Sequence, residues 1–479
     1  MDIARNLKRI DGVVYELGKD HRETMRVPVR IVADEQLLAQ LARDGSIEQL
    51  VNVATLPGIT RFAIGMPDMH QGYGFPVGGV AGTVAPDGVI SPGGIGFDIN
   101  CGVRLLASRV HAEDARGEIE RLVHELSRSI PTGYGRHGRI SLSADQMHGV
   151  LSEGVPYVIR ELGLGRPEDV ELVESRGSLE AADPSCVSER AMQRGEDQLG
   201  TLGGGNHFLE VQEVVEVFDD GTAGALGLFR GQLTVLIHTG SRGLGHQVCT
   251  DYVREMDAAL PRYGISVPDR QLACAPLSSP EGQRYFAAMC AAANFAWSNR
   301  QALAHRTREV FERVLSKRAD ATLRVVYDVA HNIAKLEQFG SRTLCVHRKG
   351  ATRAFGPSSQ EIPAAYRGVG QPVFVPGSMG TTSFVMVGAD ASQDLSLSSC
   401  CHGAGRALSR SAAKRVVQGH VLRAELEARG IVVRCPSDAE LAEEAPTAYK
   451  DVERVVDVVA AAGIARKVAR LRPLGVLKG

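Results

Sequence analysis

The chain has 479 residues, 44% hydrophobic and 23% charged, with a formal net charge of −2. That is enough apolar material for a sizeable core in one large domain, and a near-neutral surface excludes a uniformly basic nucleic-acid binder, so any polyanion site must be a local patch. No apolar run reaches the length that spans a bilayer, the charged first ten residues lack a signal peptide's apolar segment, and nine irregularly spaced cysteines without a C-x-x-C pair argue against a zinc ribbon and for reduced thiols, so a soluble, cytoplasmic protein is expected.

Residues 27–33 predict a strand, and 35–43 a helix capped by Asp34. Residues 1–60 read as a small α/β portion leading into a core over 61–479. From 64 to 104 the chain is rich in Gly and Pro and reads as functional loop. A helix is expected over 112–129, whereas 130–200 is too weakly patterned to place. Three short β-branched strands follow, at 233–237, 323–329 and 342–346, and each delivers a histidine to its end: His238, His331 and His347. An Ala-rich scaffold helix over 285–317 lies among them. Residues 373–375 and 383–387 form a hairpin around Pro376-Gly-Ser-Met-Gly380, and helices are expected over 408–429 and 451–462. With no linker, repeat or low-complexity tract, the expectation is a single compact α+β domain. Central sheets are surrounded by helices, and the active site lies at strand ends and Gly-rich loops.

The densest chemistry is Gly96-Phe-Asp98-Ile-Asn-Cys101-Gly102, a carboxylate and a thiol three residues apart in a glycine-rich loop. Asp98, Cys101, His207, His238 and His331 offer hard, soft and borderline donors, a mixture that Mn²⁺, Zn²⁺, Fe²⁺ and Co²⁺ accept and that Mg²⁺ and Ca²⁺ do not favour. Five ligands exceed one open tetrahedral site, but two ions sharing the Cys101 thiolate account for them and suit phosphoryl chemistry. For any one histidine taken alone, a core residue bonded to backbone is the better reading. In Gly203-Gly-Gly205-Asn206-His207-Phe-Leu-Glu210 the glycines allow an anion-binding turn, with Asn206 a donor to phosphate and Glu210 an acceptor from a base edge. His402-Gly-Ala-Gly405-Arg406 places an imidazole, a competent nucleophile toward phosphorus, before a helix. Arg242, Arg348, Lys349, Arg406 and Arg410 are the candidate phosphate cations, while Lys414 and Arg415 read as a solvated face. Lys478, one residue from the end, reads as frayed. These residues alone leave open a dinuclear phosphoesterase without a nucleotide step, and a noncatalytic RNA binder that lacks RRM or KH aromatic signatures.

Eight blocks in order resemble the RtcB-type RNA ligases: Gly65-Met-Pro-Asp-Met-His-Gln-Gly-Tyr-Gly74, Gly96 to Gly102, Gly203 to Glu210, His238-Thr-Gly-Ser-Arg-Gly243, Asp328-Val-Ala-His-Asn332, His347-Arg-Lys-Gly-Ala-Thr-Arg353, Pro376 to Gly380 and His402 to Arg406. The resemblance implies a GTP-dependent ligase joining RNA 3'-phosphate or 2',3'-cyclic phosphate ends to 5'-hydroxyl ends, in tRNA splicing or RNA repair. By the family pattern Asp98, Cys101 and His207 hold one Mn²⁺, and Cys101, His238 and His331 a second. His402 becomes guanylylated. Guanylate contacts fall on Asn206, His207, Phe208, Leu209, Glu210, His331, Asn332, Pro376, Gly377, Ser378, Met379, Ser383, His402, Gly403, Ala404, Gly405 and Lys478, with Tyr449 near the guanine. A cyclic phosphate is opened first, and the guanylate then passes from His402 to the RNA 3'-phosphate before the 5'-hydroxyl attacks. A monomer is expected, with an archease-type activator as the protein partner the resemblance suggests.

Overall fold

Two sheets organise the molecule, and one of the chain's crossings between them is made at a residue of the site. The computed structural model describes residues 3–133, 135, 137–316 and 321–479. Met1 and Asp2, the start of the segment read as lacking a signal peptide, and Lys317, the expected last residue of the scaffold helix, lie outside the described residues.

The first sheet has seven strands in the spatial order Lys8–Asp11, Val14–Leu17, Val29–Val32, Ile59–His70, Val77–Val84, Arg342–Lys349 and Asn332–Phe339. The N-terminal strands thus extend the same sheet that carries later site residues. The second sheet runs Arg324–Ala330, Gly102–His111, Gln232–Thr239, Phe208–Val217, Ala465–Lys478, Ser383–Gly388 and Pro372–Val375, with Val432–Arg434 lying parallel to Ala465–Lys478. Ala330 ends a strand of the second sheet and Asn332 begins one of the first, so His331 is the single residue between them.

Alternation along the strands divides the core. Leu233, Val235 and Ile237 pack with Leu106, Leu209 and Val211 beneath the helix Ile119–Ser129 and the long helix Pro280–Val314. Leu236 faces the opposite way, with Val103, Leu105, Phe208 and Val385. Gln232–Thr239 is buried at every position because both faces of the sheet are covered.

Several expected elements hold with adjusted ends. Asp34 caps Glu35–Leu41 by accepting from Leu37 N at 2.8 Å. The long helix starts at Pro280, with Ser279 accepting from Gly282 N. The hairpin pairs Val375 with Phe384 and Phe374 with Val385.

Others do not hold. Much of 64–104 is strand rather than loop, within Ile59–His70 and Val77–Val84. Its glycines erased the periodicity: a Cβ on Gly79 would lie 2.8 Å from Pro76 O, so the strand is glycine-rich where neighbours crowd it. The 408–429 helix is two, Arg410–Val416 and Gly419–Ala428. Gln418 is extended between them, and Gly419 allows Asp438 backbone to approach where a Cβ would meet its oxygen at 1.9 Å. The unplaced 130–200 region holds short helices, including Ala144–Glu153 and Val155–Leu162 against the long helix. Among the described residues no helix is long and apolar enough to cross a membrane.

Candidate active site

Strand register explains why residues far apart in sequence meet. Gly102 lies opposite both Ala330 and Thr239, and His238 lies opposite both Val103 and Phe208. Phe208 also pairs with Lys478. Five neighbouring strands therefore end together, and the residues at or beside those ends are His331, Cys101, His238, His207 and Lys478. Each antiparallel pairing brings the start of one strand to the end of the next.

The resulting cluster is tight. Cys101 Sγ is 3.3 Å from His238 Nε2 and 3.4 Å from His207 Nε2. His238 Nε2 is 3.2 Å from His331 Nε2, and His207 Nε2 is 2.8 Å from Asp98 Oδ2. Two sets of donors emerge, Asp98–Cys101–His207 and Cys101–His238–His331, and Cys101 belongs to both. Sulfur, imidazole and carboxylate atoms converging this way point lone pairs at common centres, an arrangement that divalent cations convert into ligation. The donor set therefore fits two ions of intermediate softness. His207 Nδ1 donates to Leu202 O at 3.1 Å, which orients its other nitrogen inward. His238 Nδ1 and His331 Nδ1 are buried without such an acceptor among the described residues.

His402 follows the short strand Ser399–Cys401, which pairs with Ala351–Arg353. Its Nδ1 donates to Asp68 Oδ2 at 2.7 Å, and its backbone N donates to the same oxygen at 3.1 Å. Asp68 is fully buried in the strand Ile59–His70. Gly405, at φ 72°, passes so close to Asp68 that a Cβ would sit 2.1 Å from its carbonyl oxygen. The His331 and His402 rings are 4.9 Å apart, and both face one cavity of about 270 Å³.

A profile described as tRNA-splicing ligase RtcB matches residues 49–479. A protein named tRNA-splicing ligase RtcB from Archaeoglobus fulgidus is 52% identical over the full length of both chains, and one of the same name from Thermococcus kodakarensis is 53% identical over 99% of each. An RNA-splicing ligase RtcB from Mycobacterium tuberculosis is 51% identical over 90% of this chain and all of its own. The chain belongs to the RtcB family.

Positions named by the RtcB resemblance, and others read from the residues as phosphate cations, gather around the cavity. Asp98, Cys101, Asn206, Phe208, Glu210, His238, His331, Asn332 and Lys349 line it, as do the turns Pro376, Gly377, Ser378, Met379 and His402, Gly403, Ala404, Gly405. Arg406, Arg410, Tyr449 and Lys478 close it. His207 lies behind the wall with Arg242, whose Nη1 is 3.2 Å from His207 Nδ1. Ser383 Oγ supports the Pro376 turn from behind, accepting from Gly377 N at 3.4 Å, and the Leu209 side chain points into the core.

Three expectations from the residues fail. His347 does not end a strand at the site. It lies within Arg342–Lys349, fully buried, and its Nε2 accepts from Ser91 N at 3.2 Å. Arg348 is no phosphate cation, because its guanidinium is buried against both oxygens of Glu337 at 2.6 and 2.8 Å. Lys478 is not frayed: it is 4% exposed, 3.7 Å from Glu444 Oε2 and stacked over Phe208. Lys349 Nζ donates to the carbonyls of Tyr73 and Phe75, so it braces the loop between two strands of the first sheet.

Residues that sequence reasoning missed stand behind the cluster. Arg300, on the long helix, donates from Nη1 to the carbonyls of Asn100 and Thr239, both at 2.8 Å. These are the neighbours of Cys101 and His238. Asp328 holds Arg300 and also Arg104, at 2.9 and 2.7 Å, with all three fully buried. On the other side, Glu444 accepts from Arg406, Arg410 and Tyr449 and faces Lys478.

Electrostatics follow burial. Burial pushes the Cys101 thiol up, reinforced by Asp98 and opposed by Arg300 and Arg242. For Asp98 burial acts upward too, but His207 and Arg242 together hold the carboxyl well below the usual range. Burial keeps His238 and His331 neutral, the form that ligates metal. Glu210 is pushed up to about 8 by burial, against the pull of Gln212 and Lys478.

Proposed function

We propose that this chain is an RNA ligase that joins a 3'-phosphate or 2',3'-cyclic phosphate end to a 5'-hydroxyl end, using GTP and a guanylylated His402, in tRNA splicing or RNA repair. The observation that carries the reading is the pairing of His402 with Asp68 beside the doubled donor set. Because Nδ1–H is committed to the buried carboxylate, Nε2 is the nitrogen left unprotonated for attack.

Asp98, Cys101 and His207 would hold one Mn²⁺, and Cys101, His238 and His331 the other. When bound, the ions would neutralise charge on the reacting phosphates. His402 Nε2 attacks the α-phosphorus of GTP, the bond to the β-phosphate oxygen breaks, and pyrophosphate leaves. Asp68 stabilises the positive charge that develops on the ring. The RNA 3'-phosphate oxygen then displaces His402, taking the guanylate as an anhydride, and the 5'-hydroxyl attacks the RNA phosphorus to release GMP. An unactivated phosphate monoester has a poor leaving group, which is why a nucleotide is needed. Glu210 would accept from the guanine edge, with Tyr449 and Lys478, which line the same cavity, as further contacts. Arg242, Lys349, Arg406 and Arg410 are the cations proposed for RNA phosphate, and an archease-type activator and a monomeric state complete the reading.

The test is ligation of a 3'-phosphate RNA to a 5'-hydroxyl RNA with and without GTP and Mn²⁺, alongside transfer of label from α-labelled GTP to the protein. Joining without GTP, or labelling that survives His402→Ala, would overturn it. Phosphate release with no joined product would instead mark a dinuclear phosphoesterase.

A further inference from the structure

Three aromatic rings meet beside the cavity, one of them lining it, and neither the metal donors nor the nucleotide-contact residues account for them. Phe97 lines the cavity beside Asp98. Its ring is stacked on His246, with centroids 4.9 Å apart and planes 27° from parallel, and Tyr73 meets it edge-on at 5.1 Å. Buried aromatics cluster in this way in any core, but these are not buried: Tyr73 and Phe97 are partly exposed and His246 is exposed. Lys349 Nζ holds the Tyr73 carbonyl and lies 6.0 Å from the Tyr73 ring centroid, so the loop carrying the first ring is pinned to the site. His246 is anchored independently, in the helix Arg242–Ala259, whose preceding Ser241 donates to Asp98.

Rigid, half-exposed π-faces beside a phosphate-handling site are what an unpaired base stacks on, whatever its identity. Position selects the strand. Neighbouring contacts run from His402 to His331, His238, His207 and Asp98 in turn, and Phe97 follows Asp98. On the ligase reading, the guanylate phosphorus is carried at the His402 end of that line. In-line displacement sets the attacking oxygen opposite the departing GMP, toward the Asp98 end.

We propose that Tyr73, Phe97 and His246 form a stacking platform for the terminal nucleobase of the 5'-hydroxyl RNA strand. The proposal rests on the ligase reading above and adds to it the way in which the second RNA end is held. The platform leaves the joining reaction indifferent to base identity at that position but dependent on there being a base.

The full-length protein tests this with RNA whose 5'-terminal nucleotide is intact or abasic. For the unaltered protein, the abasic strand is expected to raise the KM for that strand about 10-fold, with guanylylation by GTP unchanged. His246→Ala is expected to raise the KM for the intact strand by a similar factor, and the abasic change then costs little more. Phe97→Leu, which keeps apolar volume beside Asp98, is expected to behave as His246→Ala does. Equal use of intact and abasic 5'-strands, a penalty confined to an abasic 3'-phosphate strand, or two penalties that multiply in full would each overturn the platform. So would a His246→Ala protein whose guanylylation falls as far as its ligation. If the unaltered protein neither takes label from GTP nor joins ends, the ligase reading itself has failed, and that result is distinct from the others.

Discussion

Asp68 and His402 are 334 positions apart in sequence, yet the carboxylate receives both the ring Nδ1–H and the backbone N–H of the histidine, at 2.7 and 3.1 Å. Two bonds to one oxygen fix the position of the imidazole and its tautomer together. Asp68→Asn keeps the shape but removes the charge and lets the amide donate to Nδ1, which would move the proton to the attacking nitrogen. We expect guanylylation to slow about 100-fold or more, with metal content unaltered. Initial rates of label transfer from α-labelled GTP, beside elemental analysis of the same preparation, decide it. An unchanged rate would remove Asp68 from the mechanism.

Cys101 offers a sharper test of the doubled metal centre, since its sulfur is the one donor common to both sets. Cys101→Ala should empty both positions, whereas His207→Ala and His331→Ala should each weaken mainly one. The measurement is bound manganese or cobalt per chain by elemental analysis, with circular dichroism as the check on folding. Should Cys101→Ala retain one ion at the affinity of the unaltered protein, the shared-sulfur arrangement is wrong.

Much of this site was legible in the sequence because the donors sit in unusual local contexts. Cys101 lies in a Gly-rich loop, and His207 follows three glycines. The same local logic misled at His347 and Arg348. Their strand also ends in a charged, Gly-containing turn, but it pairs on both sides, with Val77–Val84 and Asn332–Phe339, and buries both side chains in the sheet. Asp68 was visible only as part of a motif, for nothing nearby in sequence shows that it reaches His402. Glycine-rich strands such as Val77–Val84 carry no hydrophobic period, so their pairing could not be read. Arg300 was hidden for a different reason: on an Ala-rich helix an arginine suggests a solvent face, and only the tertiary fold turns it inward onto Asp328.

That inward turn gives Arg300 a measurable role. It bonds the carbonyls before Cys101 and after His238, so it sets the separation of two donors without touching metal. Arg300→Lys keeps the charge but loses the separate nitrogens with which the guanidinium holds Asp328 through Nε and Nη2 while Nη1 bonds both carbonyls. We expect metal affinity to fall about 10- to 100-fold, as when supporting residues of metal sites are replaced. Arg300→Met should also lower unfolding free energy by about 3 kcal/mol, near the low end for breaking a buried pair, because Arg104 still neutralises Asp328. Metal titration by calorimetry and urea unfolding read the two effects separately. An Arg300→Lys protein with unaltered metal affinity would reduce Arg300 to a core residue.

Glu210 links the site to pH. Burial raises its carboxyl from an ordinary value of 4.5 to about 8. The folded protein therefore holds this proton more tightly than the unfolded chain across that window. The associated stability is fully present below about 4.5 and is lost as pH rises through 8. Nearby histidines, lowered by burial, act in the opposite sense at acid pH, so the comparison must isolate one group. Glu210→Gln is isosteric and does not titrate. The stability of the unaltered protein relative to Glu210→Gln should fall between pH 5 and pH 8 by at most on the order of 1 kcal/mol per pH unit. Urea unfolding of both proteins at several pH values measures it. Parallel pH profiles would show that Glu210 is ionised throughout, paired with Lys478 rather than held neutral by its surroundings.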